Sequence, residues 1–522
     1  MLTATRGVVN KTRALRFALA TVFMLLGASP AVAEHLRILH TNDIHSHLLP
    51  FRSASGDTVG GLARLATLVD AQRQDMEACL LLDGGDLFQG TPFFNYFHGE
   101  PEVRCLSAMA YDGMVMGNHE LDEGAANVLK QMKAHATFPF LCANVRVPDR
   151  IRSGAAAENE STLVTIGRPM VVTKAGTLRV GIIGVTTETL PQVQTQRGMA
   201  DVTVEPVAGV VAPLVAELRP RCDLIVVLSH CGVAPDSLLA TAVPGIDIIV
   251  GGHTHTPLAQ GVFAANPANR NGIGGTIIVQ AGQWGQFLGR LDLEVEDRKI
   301  TSWNATLLPV TKELHADRTV RTIVAQYADS LAPLVDEVLT DSRAALSNAD
   351  ALSVETPLGN LVTDWMRLAR GVDIAVQNGG GLRGNLPEGP VRVRDFYTLL
   401  PFDNTLVEMS LDGRGLLQLL EESVARTGRG GFLSVSGVTF TATGDARVRD
   451  VRVGGQPIDA DRNYRLVTNN FTAAGGDGFT AFQRARNVVD TGVLVRTAVI
   501  ERLRGAPPIE APPVDRIRKA AE

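Results

Sequence analysis

Five apolar runs in this chain each end in side chains able to bind a metal ion. Leu36 to Leu39 leads into HTNDIHSH, with Asp43 and His45. Leu80 to Leu82 leads into DGGDLFQG, with Asp86, and Met114 to Met116 into GNHELD, with Asn118 and His119. Leu224 to Leu228 leads to His230 in SHCG, and Ile246 to Val250 to His253 and His255 in GGHTHT. A single His after a strand is more often a capped or solvated residue than a ligand. Five such endings imply convergence, because ligands of open α/β sheets collect outside the carboxyl ends of the strands. Asp, His and Asn without a thiolate suit zinc, manganese or cobalt better than copper(I) or an iron–sulfur cluster. Asp43, His45, Asp86, Asn118, His230, His253 and His255 also outnumber the ligands of one catalytic zinc ion. Two divalent metal ions are expected, with Asp86, in the most open glycine turn, as the carboxylate between them.

A metal pair ~3.5–4 Å apart clamps a phosphoryl group, makes hydroxide available near neutral pH and stabilises charge during in-line displacement. Hydrolysis then needs no covalent enzyme intermediate. His119 is expected to face the phosphoryl oxygens. Asp122, three residues on, would orient that imidazole and favour its charged form. The competing reading makes Asp122 the N-terminal cap of a helix.

Short apolar runs alternate with turns and longer mixed segments from Leu36 onward, the pattern of an α/β domain. Further strands are expected at Arg179 to Val185, Thr276 to Val279 and Gly289 to Val295, and a helix at Leu62 to Asp75. After Pro309 the composition shifts. Lys312 to Asp336 has helical spacing and no glycine, as a helix connecting two domains would, although a helix internal to either domain would look the same. The second half has strand patterns near Ile374 to Val376, Leu406 to Leu411, Val435 to Thr441 and Tyr464 to Thr468. Its helices are expected at Leu358 to Ala369 and Arg414 to Ala425. The Pro-rich end after Gly505 reads as a surface tail.

At 522 residues, 45% hydrophobic and 20% charged, the chain is globular and too long for one core. Arg6, Lys11, Arg13 and Arg16 precede an apolar stretch from Phe17 to Leu26, and Ala31-Val32-Ala33 offers a cleavage site. This is the pattern of a secretory signal over residues 1–33. Its apolar core, about 10 residues, is short against the ~20 of a membrane span, so no stable span is expected after signal removal. The formal charge of −6 becomes more negative once four basic leader residues are gone, which argues against a nucleic-acid polymer as partner. Cys79, Cys105, Cys142, Cys222 and Cys231 are an odd set without CxxC spacing, so they signal neither a thiolate zinc site nor a dense disulfide framework.

DIHSH, GGDLFQG, GNHELD, SH before CG and GGHTH resemble, in order, the motifs of calcineurin-like metallophosphatases. NGGGLR (Asn378 to Arg383), PFDNTL (Pro401 to Leu406) and NNFTAAGGDGF (Asn469 to Phe479) resemble the C-terminal domain of secreted 5′-nucleotidases. The resemblance implies an α/β protein: an N-terminal four-layer α/β/β/α metallophosphatase sandwich and a separate C-terminal α/β domain that binds the nucleoside. On the chain this gives 34–311 for the first, 312–336 for a linker helix and 337–522 for the second. One metal would take Asp43, His45, Asp86 and His255, the other Asp86, Asn118, His230 and His253, with His119 and Asp122 as the catalytic dyad. Asn378, Gly380, Gly381 and Arg383 match the loop that meets the nucleotide, Asp477 a ribose-contacting aspartate, and Phe432 and Phe471 an aromatic clamp on the base.

One departure from the family pattern is that Leu352 and Val354 stand where relatives often place an Arg before the ETPLGN stretch. The implied activity is that of an exported, periplasmic or extracellular dimetal phosphohydrolase, a 5′-nucleotidase releasing phosphate from nucleoside 5′-monophosphates, with a hinge near Lys312 to Asp336. The alternatives are a 2′,3′-cyclic nucleotide phosphodiesterase with 3′-nucleotidase activity, a UDP-sugar hydrolase, a thiosulfohydrolase, and a non-catalytic binding protein.

Overall fold

Side-chain alternation along the strands builds the N-terminal half. A computed structural model of the chain describes residue 1 and residues 33–53, 57–153, 162–194 and 197–520. Apart from its two end residues, the expected leader lies outside them. The first of two six-stranded sheets runs Lys299–Pro309, Phe287–Glu296, Glu34–Thr41, Cys79–Asp83, Gly113–Val115, Phe140–Leu141. The second runs Val262–Ala265, Gly275–Val279, Ile248–Gly251, Leu224–His230, Leu178–Thr186, Met170–Ala175. Leu36, Ile38, Leu80 and Leu82 of the first face Val180, Ile182, Leu224, Val226, Leu228, Ile248 and Val250 of the second in one core. Their neighbours point the other way, as a period of two requires. Leu39 and Leu81 pack with Leu62, Leu65 and Val69 of the helix Leu62–Arg73. Ile225, Val227 and Ile249 pack with Val211, Val215 and Leu218 of the helix Val207–Leu218. The result is the four-layer α/β/β/α sandwich.

Parallel pairing aligns the strand ends. Glu34–Thr41 runs parallel to Cys79–Asp83, and that strand to Gly113–Val115; Leu224–His230 runs parallel to Ile248–Gly251. The loops leaving the two sheets interlock, since a Cβ on Gly84 would lie 2.7 Å from the Gly251 carbonyl oxygen. Only glycine allows that approach.

The C-terminal half is a separate α/β unit. Its five-stranded sheet runs Leu433–Ser436, Ile374–Asn378, Asn463–Asn469, Thr405–Asp412, Arg486–Leu494. Ile374, Val376, Leu411 and Leu466 pack there with Leu416, Leu419 and Leu420 of the helix Gly413–Val424. One expectation is corrected and one extended. The single strand expected at Val435 to Thr441 is broken at Gly437, whose φ of 79° diverts the chain so that Leu433–Ser436 and Val438–Ala442 enter different sheets. The segment after Gly505, expected as a surface tail, is largely exposed but also supplies a strand: Ile517–Lys519 pairs in parallel with Val438–Ala442. The buried Glu355 carboxylate accepts from the backbone N–H groups of Asp515, Arg516 and Ile517, which gives that segment its anchor.

Between the halves lies the helix Arg318–Val335, which starts later than the sequence pattern suggested because Asp317 caps it, accepting from the Val320 N–H at 2.8 Å. Its buried Val320, Val324, Tyr327, Leu331 and Val335 form one stripe. That stripe packs on the helices Leu62–Arg73, Pro92–Phe97 and Glu100–Ala108, and on Val393–Leu399 of the second half. All five cysteines are free thiols. No helix among the described residues is long and apolar enough to cross a membrane. Leu331→Ala is expected to cost about 2–5 kcal/mol of unfolding free energy in urea denaturation; a loss indistinguishable from zero would mean that the helix is not held by this stripe.

Candidate metal centre

All seven candidate ligands meet at the shared edge of the two sheets. Three sets bring their donor atoms within 4.8 Å of one another: Asp43 with His45 and His255; His45 with Asp86 and His119; Asp86 with His230 and His253. His255 Nε2 lies 3.2 Å from Asp43 Oδ1, and His230 Nε2 3.0 Å from Asp86 Oδ2. Asn118 Oδ1 is 2.8 Å from His253 Nδ1. Asp86 belongs to two of the three sets.

Backbone geometry aims these groups. Asp43, His45, Asp86, His253 and His255 all have φ between 48° and 77°. For residues with a Cβ this left-handed conformation costs on the order of 1–3 kcal/mol each and persists only where the surroundings over-determine it. At Gly117 a Cβ would fall 2.2 Å from Asp86 Oδ1, so glycine is needed where the GNHELD turn closes on that carboxylate.

The donor set fits a pair of divalent cations. His45 Nδ1 donates to the Gln89 carbonyl at 3.0 Å, so its Nε2 presents a lone pair, 3.1 Å from His255 Nε2. His230 Nδ1 likewise donates to the Gly84 carbonyl at 2.7 Å, which aims its buried Nε2 at Asp86 Oδ2, 3.0 Å away. Fixing one ring nitrogen on a carbonyl is how ligand imidazoles are oriented. Burial holds His45 well below the usual imidazole range and pushes His253 down to about 4, so both are neutral donors. Burial works to raise Asp86, but the His230 and His119 charges outweigh it and keep the carboxyl well below its usual range.

The proposed dyad residues adjoin the cluster. His119 Nδ1 lies 2.8 Å from Asp122 Oδ2, and the His119 backbone N–H donates to Asp86 Oδ1 at 2.8 Å. Burial opposes protonation of His119, yet the Asp122 and Asp86 charges prevail and raise its pKa. Asp122 caps no helix N-terminus: it closes the short turn His119–Leu121, and the next helix begins after Gly124.

From here a cleft of about 330 Å³ runs into the C-terminal half, within the size range of small-ligand sites. Asp86, Asn118, His119, Asp122, His253 and His255 of the first half line it together with Asn378, Gly380, Gly381, Arg383, Phe471 and Asp477 of the second. Asn378 Nδ2 donates to Asp477 Oδ2 at 2.8 Å. Phe432 is buried and is not among the residues that line the cleft, and its carbonyl holds the Gly379 N–H at 2.7 Å. Phe402 lines the cleft instead, stacked on His119 at 5.6 Å with 26° between the rings and with the Arg383 guanidinium 5.9 Å from its centroid. Leu352 is exposed, and its carbonyl holds the Gly428 N–H. Among the described residues the cleft's guanidiniums are Arg383 and Arg197, and Arg197 pairs with Glu123 at 3.3 Å.

Sequence reasoning missed three supports besides Gln280, considered below. Glu120, inside GNHELD, turns its buried carboxylate backward to accept from the N–H groups of Asp86, Leu87, Phe88 and Gly117 at 2.6–3.1 Å. Gln194 donates to Asp122 Oδ1 at 2.7 Å and to the Asn118 carbonyl. Phe402 was readable only as part of PFDNTL, and nothing in Gln194's local sequence marks it.

Residues 36–257 match the family Calcineurin-like phosphoesterase, and residues 337–484 match 5′-nucleotidase, C-terminal domain. The crystal structure of the 5′-nucleotidase precursor from Thermus thermophilus superposes with a TM-score of 0.84 at 32% identity, covering 94% of this chain and 100% of that one. Protein UshA of Escherichia coli (strain K12) is 27% identical over 537 residues, 92% of this chain and 94% of that protein. The trifunctional nucleotide phosphoesterase protein YfkN of Bacillus subtilis (strain 168) is 29% identical over 513 residues. Those cover 90% of this chain but 34% of YfkN, so the chain spans about a third of that protein.

Glu120→Gln turns an amide NH₂ toward backbone N–H groups that now have a carboxylate. The expected cost is about 1–3 kcal/mol of unfolding free energy, read by urea denaturation of the metal-free protein. A change below about 0.5 kcal/mol, the size of an ordinary surface substitution, would show that the carboxylate does not hold the Asp86 turn.

Proposed function

We infer the substrate from one premise: the chain belongs to the family of calcineurin-like phosphoesterases that carry a 5′-nucleotidase C-terminal domain, and is a metal-dependent phosphoester hydrolase. That substrate is a nucleoside 5′-monophosphate, hydrolysed to nucleoside and phosphate. The reading is carried by the cleft that Asp86 and His119 of the first half line together with Arg383, Phe402, Phe471 and Asp477 of the second.

Asp43, His45, Asp86 and His255 would hold one divalent ion, and Asp86, Asn118, His230 and His253 the other. When bound, such a pair supplies Lewis-acid activation of water and of the phosphoryl group. His119, its positive charge favoured by Asp122 and Asp86, donates hydrogen bonds to the phosphoryl oxygens and gains strength as negative charge accumulates there. Asp122 fixes the imidazole through Nδ1, leaving Nε2 for the substrate. Arg383 forks onto the phosphate. Asn378 belongs to the loop that meets the nucleotide, Asp477 hydrogen-bonds the ribose, and Phe471 offers an aromatic face to the base.

The domain limits proposed are 34–311 and 337–522, with the intervening helix as the hinge. The leader pattern supports export to a periplasmic or extracellular space. Phosphate release across 5′-, 3′- and 2′,3′-cyclic mononucleotides, a UDP-sugar and a thiosulfonate tests the reading. Nucleoside 5′-monophosphates should give the highest kcat/KM, lost on chelation and restored by zinc, manganese or cobalt. His119→Ala should lower kcat by about 10²–10⁴-fold with a smaller effect on KM. Preference for the cyclic, sugar-linked or thiosulfonate substrate would overturn the substrate assignment.

A further inference from the structure

Strand Gly275–Val279 also ends at the metal crevice, and the next residue, Gln280, brings no metal donor there. Its side chain is fully buried, and its carboxamide makes three hydrogen bonds to the GGHTHT loop. Nε2 donates to the Gly252 carbonyl at 2.9 Å. Oε1 accepts from the Thr254 hydroxyl at 3.1 Å and from the Thr256 N–H. The three anchor points are alternate residues, and His253 and His255 lie between them. One side of the loop is tied to Gln280 while the other presents the imidazoles.

The loop needs such a tie. Its two histidines have φ of 77° and 54°, conformations that relax unless held. Gly252 cannot move toward the other sheet, since a Cβ there would already lie 2.6 Å from the Gly84 carbonyl oxygen. Asn42 secures the segment that follows: its Oδ1 accepts from the Ala281 N–H at 2.7 Å, and its Nδ2 donates to the Gly282 carbonyl and to Asp43 Oδ2. Gln280 thus sits between two fixed stretches of chain, one of them leading to the Asp43 carboxylate.

We propose that Gln280 is a positioning residue of the metal centre, whose carboxamide holds His253 and His255 at the spacing that two divalent ions require. The inference rests on the dimetal reading above and is independent of which phosphoester is cleaved. Replacing groups that orient metal ligands lowers metal affinity by about 10–100-fold. Gln280→Met keeps the side-chain length and removes all three hydrogen bonds. Thr254→Val, at an exposed residue, removes one of them and leaves Gln280 in place.

The measurement is zinc affinity of the full chain by competition with a chromophoric chelator, with circular dichroism as the check on folding. Gln280→Met should weaken zinc binding roughly ten- to hundred-fold, Thr254→Val by less, and the double variant by less than the product of the two. Raised zinc should return the kcat of Gln280→Met toward wild type with KM unchanged, which a general loss of structure would not do. Wild-type affinity in folded Gln280→Met overturns the proposal; if that variant does not fold, wild-type affinity in Thr254→Val overturns it. A wild-type chain that fails to bind two zinc ions would instead sink the dimetal reading itself.

Discussion

Lone pairs and negative charge crowd one crevice, and the rest of the architecture exists to hold them there. Asp43 and Asp86 carboxylates lie among the His45, His230 and His255 nitrogens at 3.0–3.9 Å. The Asp43 and Asp86 carboxylates repel each other, and burial in a low-dielectric setting adds to the cost of bringing their charges together. The fold therefore supplies the force that keeps them together. Two sheets packed face to face provide it, with the ligands on strand-end loops whose backbones are locked by glycines, by Glu120, by Asn42 and by Gln280.

The same constraint ties the two halves of the chain. His119 is held on one side by Asp122 and Asp86 and covered on the other by Phe402 from the C-terminal half. Arg383 is half-buried within reach of the Asp43, Asp86, Asp122 and Asp477 charges, which oppose the effect of desolvation in lowering its pKa. Tyr96 and Tyr397 meet hydroxyl to hydroxyl at 3.0 Å near this junction, and Asn95 donates to the Pro401 carbonyl at 2.9 Å. A nucleotide lying in the cleft would touch both halves, which links recognition of the nucleoside to placement of the phosphate.

Much of this was legible in the sequence because the ligands follow strands directly. Apolar alternation locates the strand, and a polar residue within the next four positions is then at the crevice, as with Asp43, Asp86, His230 and His253. What escaped is whatever depends on the direction of a side chain. Glu120 and Asp122 stand two residues apart in GNHELD, yet one points back to the Asp86 turn and the other toward His119. Phe402 and Phe432 both occupy plausible loops, and only the path of the backbone separates the cleft wall from the buried ring. Gln280 lies at a strand end that sequence patterning identified, but glutamine there has no chemistry to advertise. The C-terminal strand was hidden because its anchor, the Glu355 carboxylate, is some 160 residues away.

The central claim is that these donors grip two cations at once, and anomalous diffraction from zinc-loaded crystals addresses it most directly. Two anomalous peaks about 3.5–4 Å apart, on either side of the Asp86 carboxylate, are the expected result. A single peak, or peaks lying away from Asp86, would contradict the account.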